Sequence, residues 1–139
     1  MPEILSAWAR EMLERPLTYA TLATVSADGS PHQAVLWYTV AGDDVLVNSK
    51  RGRTWPANLE RDGRFSLLLG DDHDWVALRG KAEVLDDPAQ AVEDICAMAR
   101  SYHRHEPEVA ERAIRTFREQ DRISFLLHPA AITEHPSSP

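Results

Sequence analysis

A chain of 139 residues can hold one ordinary hydrophobic core but not two, and 43% hydrophobic with 27% charged residues is the balance of a globular protein rather than a disordered or fibrous one. The formal net charge of -7 argues against a general nucleic-acid binder, which needs a basic surface to release counterions from phosphates. Cys96 is the single cysteine; this excludes an internal disulfide and a cysteine-built zinc site, suits a reducing cytosol, and reads most simply as a small buried apolar side chain.

In chain order, residues 1–15 mix Glu3, Arg10, Glu11 and Glu14 with apolar residues, so they lack the unbroken apolar stretch of a signal peptide, and no segment reaches membrane-spanning length. The expected location is the cytoplasm, with no membrane partner. Ile4, Leu5, Trp8, Met12 and Leu13 recur at helical spacing until Pro16 stops them, giving a short amphipathic helix. Residues 17–25 and 32–40 read as strands joined by a turn at Asp28-Gly29, a strong hairpin signal. A second turn at residues 41–44 leads to a third strand beginning at Val45, which ends in the polar group Asn48-Ser49-Lys50-Arg51-Gly52-Arg53.

A short helix is expected over about 55–61, then strands over 65–69 and 75–85 separated by the acidic loop 70–74. Val92, Ile95, Met98, Ala99 and Tyr102 share a helical face after Pro88, and Ala110, Ala113, Ile114 and Phe117 share another after Pro107. A final strand spans 123–127 and can resume over 131–133, and the tail 136–139 is expected to fray. Six short strands joined mainly by hairpins make a mainly β, antiparallel domain over residues 1–139 that avoids exposed edges by curling into a barrel with flanking helices. The strand over 32–40 is apolar on both faces, Val35 and Trp37 on one and Ala34, Leu36, Tyr38 and Val40 on the other. One face is therefore expected to cover the barrel interior while the other meets a partner chain or ligand.

Lys50, Arg51 and Arg53 crowd together in an otherwise acidic chain. Such a cluster is either a solvated basic turn or an anion site. Its position selects the second, between a strand end and a helix start where Thr54 can cap and Pro56 fits the first turn. Neither Gly-rich nucleotide fingerprint, dinucleotide or P-loop, is present, so the anion has to be held another way. His103 and His105 point to different sides of a helix, and Asp71, Asp72, His73 and Asp74 read as a polar hairpin loop, so no metal is expected at either place.

The chain resembles the pyridoxamine-phosphate-oxidase-like split-barrel proteins, specifically the branch of flavin and deazaflavin oxidoreductases that uses coenzyme F420. The resemblance is carried by Leu22-Ala23-Thr24-Val25, Asp28-Gly29-Ser30, Pro31-His32, Leu36-Trp37-Tyr38, the basic segment through Asn58-Leu59-Glu60-Arg61-Asp62, and the run from Trp75 ending in Arg79-Gly80-Lys81-Ala82-Glu83-Val84. It extends over nearly the whole chain, and its specificity lies in the order and spacing of these pieces.

It implies a six-stranded split barrel of the FMN-binding type, a homodimer, and a redox cofactor whose phosphate lies at the end of the third strand. By position, Ser49, Lys50, Arg51 and Arg53 would hold that phosphate, Gln33, Val35 and Trp37 would line the tricyclic ring, and Trp75 would be contributed by the second subunit. Trp55, a further cofactor-contacting position, stands where many relatives carry a lysine, which leaves Lys50 or Arg51 to supply the missing cation.

The implied activity is hydride transfer from reduced F420 to a small-molecule acceptor. Tyr38 and His32 are candidate proton donors beside solvent. FMN on the same fold, or a non-catalytic flavin or deazaflavin carrier, is the alternative.

Overall fold

A computed structural model describes residues 4–137. Ser138 and Pro139, the end of the tail expected to fray, lie outside it. Helix α1 (Ala7–Glu14) begins later than its apolar spacing because Ser6 caps it, accepting the Ala9 N–H at 3.0 Å, and its apolar stripe buries Ala9, Met12 and Leu13 against the sheet. After Pro16 the chain turns through Leu17 in the left-handed region, φ 57°, so β1 (Ala20–Val25) starts three residues later than expected. Asp28-Gly29 forms the turn to β2 (Pro31–Leu36). Gly29 takes φ 87°, its N–H reaches the Ser26 carbonyl at 2.9 Å, and the Asp28 carboxylate accepts the Ser30 N–H.

The strand expected over 32–40 is in fact two. β2 pairs with β1 as far as Leu36 opposite Ala20, while β3 (Thr39–Ala41) pairs instead with β4 (Asp44–Lys50), Thr39 opposite Leu46. The joint is Trp37-Tyr38, where side chains satisfy what the ladder would have satisfied: the Tyr38 N–H donates to the Tyr102 hydroxyl at 3.2 Å, and the buried Tyr38 hydroxyl donates to the Leu13 carbonyl at 2.6 Å. This corrects the apolar alternation read across residues 32–40. Ala34 and Leu36 turn inward, Val35 faces out at 72% exposure, and Trp37 leaves the strand to pack under a helix.

The remaining elements are α2 (Thr54–Arg61), β5 (Arg64–Gly70), β6 (Trp75–Leu85), α3 (Pro88–Tyr102), α4 (Pro107–Phe117) and β7 (Arg122–His135). The last is one continuous strand rather than two pieces; a bulge opposite Arg79 and Gly80 absorbs Ala130 and keeps both halves on β6. Seven antiparallel strands form a single sheet in the order β2-β1-β5-β6-β7-β4-β3. The expectation of a closed six-stranded barrel is therefore corrected: there are seven strands and the ladder is open between β2 and β3. Those two edges are nevertheless consecutive in the chain, and three Cα steps of about 3.8 Å keep Leu36 and Thr39 within about 11 Å of each other.

The main core lies inside this curl, built on Leu22, Val45, Val47, Leu67, Leu78 and Phe125, with α1 and α2 sealing it. A second, smaller cluster of Cys96, Ala99 and Ile114 joins α3 to α4 and takes in Trp37. On the outer face a row runs from Val35 through Thr21 and Leu68 to Ala77, across β2, β1, β5 and β6, with Leu68 exposed like Val35. Among the described residues, no helix is long and apolar enough to cross a membrane.

Candidate functional site

The break at Trp37-Tyr38 opens a cleft of about 360 Å³ between edge strand β2, the start of α2 and the α3–α4 pair. This is within the size of small-ligand sites. Val35 and Trp37 form its apolar wall, with Tyr19 exposed at the rim. Trp37 is fixed from behind by Tyr102, whose ring stacks on it at 5.1 Å and 11°, and by the edge of His103 at 5.3 Å. The Tyr102 hydroxyl donates to the Thr18 carbonyl at 2.6 Å, and burial pushes its pKa up, so it stays a donor across neutral pH.

The opposite end is cationic. Arg53 is the N-cap of α2 and makes no side-chain cap bond. The expected cap Thr54 is instead the first helical residue, and Pro56 removes one amide donor from the first turn. Trp55 is buried beneath, tilted against Phe125 at 5.9 Å, so it supplies apolar lining where a cation was missing.

Sequence reasoning missed Arg122. It enters the same cleft from the first residue of β7 and is only 4% exposed. Its Nε donates to Asn48 Oδ1 at 3.0 Å, its Nη1 donates to Gln120 Oε1 at 2.8 Å, and its guanidinium carbon sits 4.8 Å from the centre of the Phe117 ring. Burial, followed by the repulsion of Arg53, pulls its pKa down to about 10, still protonated at neutral pH. Among the described residues, neither Arg53 nor Arg122 makes an ion pair. The signal for Arg122 is not local, because it comes from pairing in register, which sets Ser124 of β7 opposite Asn48.

Of the residues singled out from sequence, Val35, Trp37, Arg53 and Trp55 meet in this cleft. Gln33 lies on the same outer face of β2 as Val35, one pleat further from the cleft. Ser49 is buried and its hydroxyl donates to the Lys50 carbonyl, while Lys50 is exposed at the end of β4. Arg51 turns to acids of its own chain, Glu60 at 3.4 Å and Asp121 at 3.5 Å. Trp75 starts β6 elsewhere on the surface, stacked on His135 at 5.2 Å beside a separate hollow with Leu68.

Neither candidate proton donor points into the cleft. The Tyr38 hydroxyl is engaged inside, and burial together with neighbouring Tyr102 raises its pKa; His32 sits on the β2 face opposite Val35. In the acidic loop the Asp71 carboxylate accepts the His73 and Asp74 N–H groups, a self-contained turn that holds its pKa down.

Comparison with solved structures places the fold. A conserved hypothetical protein from Mycobacterium tuberculosis superposes with a TM-score of 0.71 at 21% identity, covering 99% of this chain and 89% of that one. An F420 reductase follows at 0.70 and 22%, covering 89% and 94%. The heme storage protein HutZ from Vibrio cholerae gives 0.67 and 17%, covering 90% of each. No curated protein matches the sequence. The family described as pyridoxamine 5'-phosphate oxidase matches over residues 6–128, and the chain belongs to that family.

Proposed function

We propose that the chain is an oxidoreductase that holds a flavin-type cofactor in the β2–α2–β7 cleft, F420 ahead of FMN, and reduces a small-molecule acceptor as a cytoplasmic homodimer. The observation that carries this reading is one cleft with an apolar aromatic wall at Trp37 and an unpaired guanidinium at Arg53. A planar apolar ring on an anionic tail has that distribution of chemistry. When bound, such a cofactor supplies the two-electron hydride step.

The chain's own residues then do three things. Arg53 and the uncapped first turn of α2 draw in the negative end. Val35 and Trp37 offer the ring a dry surface, and Tyr102 keeps Trp37 from swinging away. A second copy seated on the open row of Val35, Thr21, Leu68 and Ala77 would exclude water from the mouth of the cleft, and Gln33 and the partner copy's counterpart of Trp75 are the positions it would bring into play. Among the described residues the cleft lining contains no His, Asp, Glu or Cys, so the accompanying proton comes from solvent, from substrate or from the exposed Tyr19 phenol at the rim.

Titrating purified protein with F420 and with FMN, followed by an acceptor panel with the reduced cofactor, tests the proposal. Saturable binding of F420 with turnover of at least one acceptor is expected. Tight FMN binding instead moves the assignment to the flavin, binding with no turnover makes the chain a carrier, and binding of neither refutes the reading.

A further inference from the structure

We propose that Arg122 is the buried prong of a two-arginine phosphate seat, gripping the phosphate on the cofactor's ribityl chain from the floor of the cleft while Arg53 grips it from α2. This rests on the flavin reading above and adds a binding residue that neither the basic cluster nor the family pattern pointed to.

The geometry argues for it step by step. An arginine carries five N–H donors, and the bonds to Asn48 and Gln120 use two of them. Among the described residues every completely buried side-chain nitrogen or oxygen has a hydrogen-bond partner. Nη2 of Arg122 has no such partner and so is not completely buried, and with Nε and Nη1 engaged it is the nitrogen left free to face the cleft that Arg122 lines.

That orientation is enforced from behind. Asn48 Nδ2 donates to the Ala91 carbonyl at 2.7 Å and to Ser124 Oγ at 2.8 Å, which fixes the amide so that its oxygen must face Arg122. Ser124 Oγ in turn donates to Asp94 Oδ2 at 2.8 Å. Both hydrogen-bond partners of Arg122 and the ring it covers are therefore neutral, and the nearest carboxylate in the chain of bonds stands beyond two intervening side chains. A buried guanidinium held that way, facing a second guanidinium, lacks only an anion.

The donors also indicate which anion. One arginine fork already saturates the two oxygens of a carboxylate. Two guanidiniums and an uncapped helix turn ask for a group with more acceptor oxygens at one centre, and phosphate is that group. Lys50, exposed, and Arg51, turned to Glu60 and Asp121, are not needed for it. Arg122 thus supplies the cation that Trp55 does not.

The test compares FMN with riboflavin, which differs only in lacking the phosphate, by fluorescence titration of the wild-type chain, Arg122→Gln and Arg122→Lys, with F420 as a parallel arm to separate the two sources of ribityl phosphate. One charge-assisted contact predicts that Arg122→Gln lowers the preference for FMN over riboflavin by about tenfold or more while riboflavin affinity holds. A wild-type preference retained in Arg122→Gln overturns the inference and leaves the flavin reading standing. Where Arg122→Gln does not fold, Arg122→Lys carries the test: it keeps the charge but not the fixed fork, so the preference must fall, and an unchanged one overturns the proposal. If the wild type binds neither flavin nor F420, the flavin reading falls. The seat then stands or falls on whether inorganic phosphate raises the wild-type melting temperature above a chloride control and does so less in the arginine variant.

Discussion

Replacing Tyr102 with phenylalanine removes one oxygen and leaves the ring stacked on Trp37. That oxygen accepts the Tyr38 N–H at 3.2 Å and donates to the Thr18 carbonyl at 2.6 Å, so it ties α3 to the chain before β1 and to the joint between β2 and β3. Both partners are half-buried or buried backbone-bearing residues, and water can reach only part of the site. We assign about 1 kcal/mol to each bond, a loss of about 2 kcal/mol in all. With an unfolding entropy of about 2.1 cal/mol/K per residue, a chain of 139 residues has a slope of about 0.3 kcal/mol/K, and the loss becomes a fall in melting temperature of about 7 °C. Thermal unfolding followed by far-ultraviolet circular dichroism at a fixed protein concentration measures it, with Tyr102→Leu, which also loses the stack, falling further. A Tyr102→Phe protein that melts within about 2 °C of the wild type would mean that the hydroxyl is not the tie described here.

Asn58 is 3% exposed, donates to Thr24 Oγ1 at 3.0 Å and accepts from Arg61 at 2.9 Å; Asn58→Ala should cost about 2 kcal/mol in urea unfolding, and a loss under about 0.5 kcal/mol would contradict that network. A Cβ on Gly80 would meet the His128 carbonyl oxygen at 2.0 Å, so Gly80→Ala should destabilise the β6–β7 bulge by about 1–3 kcal/mol and raise amide exchange there, whereas wild-type exchange would show that the strands slide apart freely. His128 bridges Asp44 at 3.0 Å and Glu83 at 2.7 Å, and its hydrogen bonds to Glu83 first and then Asp44 raise its pKa above 6.5. A raised histidine stabilises the fold below the unfolded value and loses that contribution as pH rises through the folded one. The stability gap between wild type and His128→Gln should therefore be wider at pH 5.5 than at pH 9, by about 0.5 kcal/mol for partly exposed pairs, and a gap independent of pH removes the bridge. Arg53→Ala should weaken binding of the preferred cofactor about tenfold or more in the same titration that tests the function, and unchanged affinity would move the anion elsewhere.

Much of this molecule is readable from its residues, for identifiable reasons. The Asp28-Gly29 turn, the two proline-initiated helices and the strands over β5 and β6 depend on neighbours a few positions away, and their signals are local. The division of residues 32–40 is not, because an alternating apolar strand looks the same whether its ladder continues or passes to the far edge of the sheet. What ends β2 is a tyrosine 64 positions later, Tyr102, taking the Tyr38 N–H.

The basic cluster shows the same limit. Charge alone cannot distinguish Arg53, which reaches the cleft, from Arg51, which finds Glu60 and Asp121. Arg122 carries no mark at all in the sequence, since only strand pairing brings it beside Asn48 and into the cleft that Arg53 also lines. Trp37 lines the cleft, and its packing under Tyr102 and His103 depends on α3, which no local pattern around residue 37 reveals.

The place of β7 in the sheet has a consequence for synthesis. Without it, the pairings among β1, β2, β5 and β6 form one ribbon and β3 with β4 another, and among the described residues no strand ladder joins the two. A nascent chain still tethered to the ribosome before residue 122 would hold two half-sheets with facing raw edges and no floor to its cleft. Completion of the sheet must therefore wait for β7 to emerge and insert between ribbons made earlier, a schedule in which chaperone protection matters most before β7 is available.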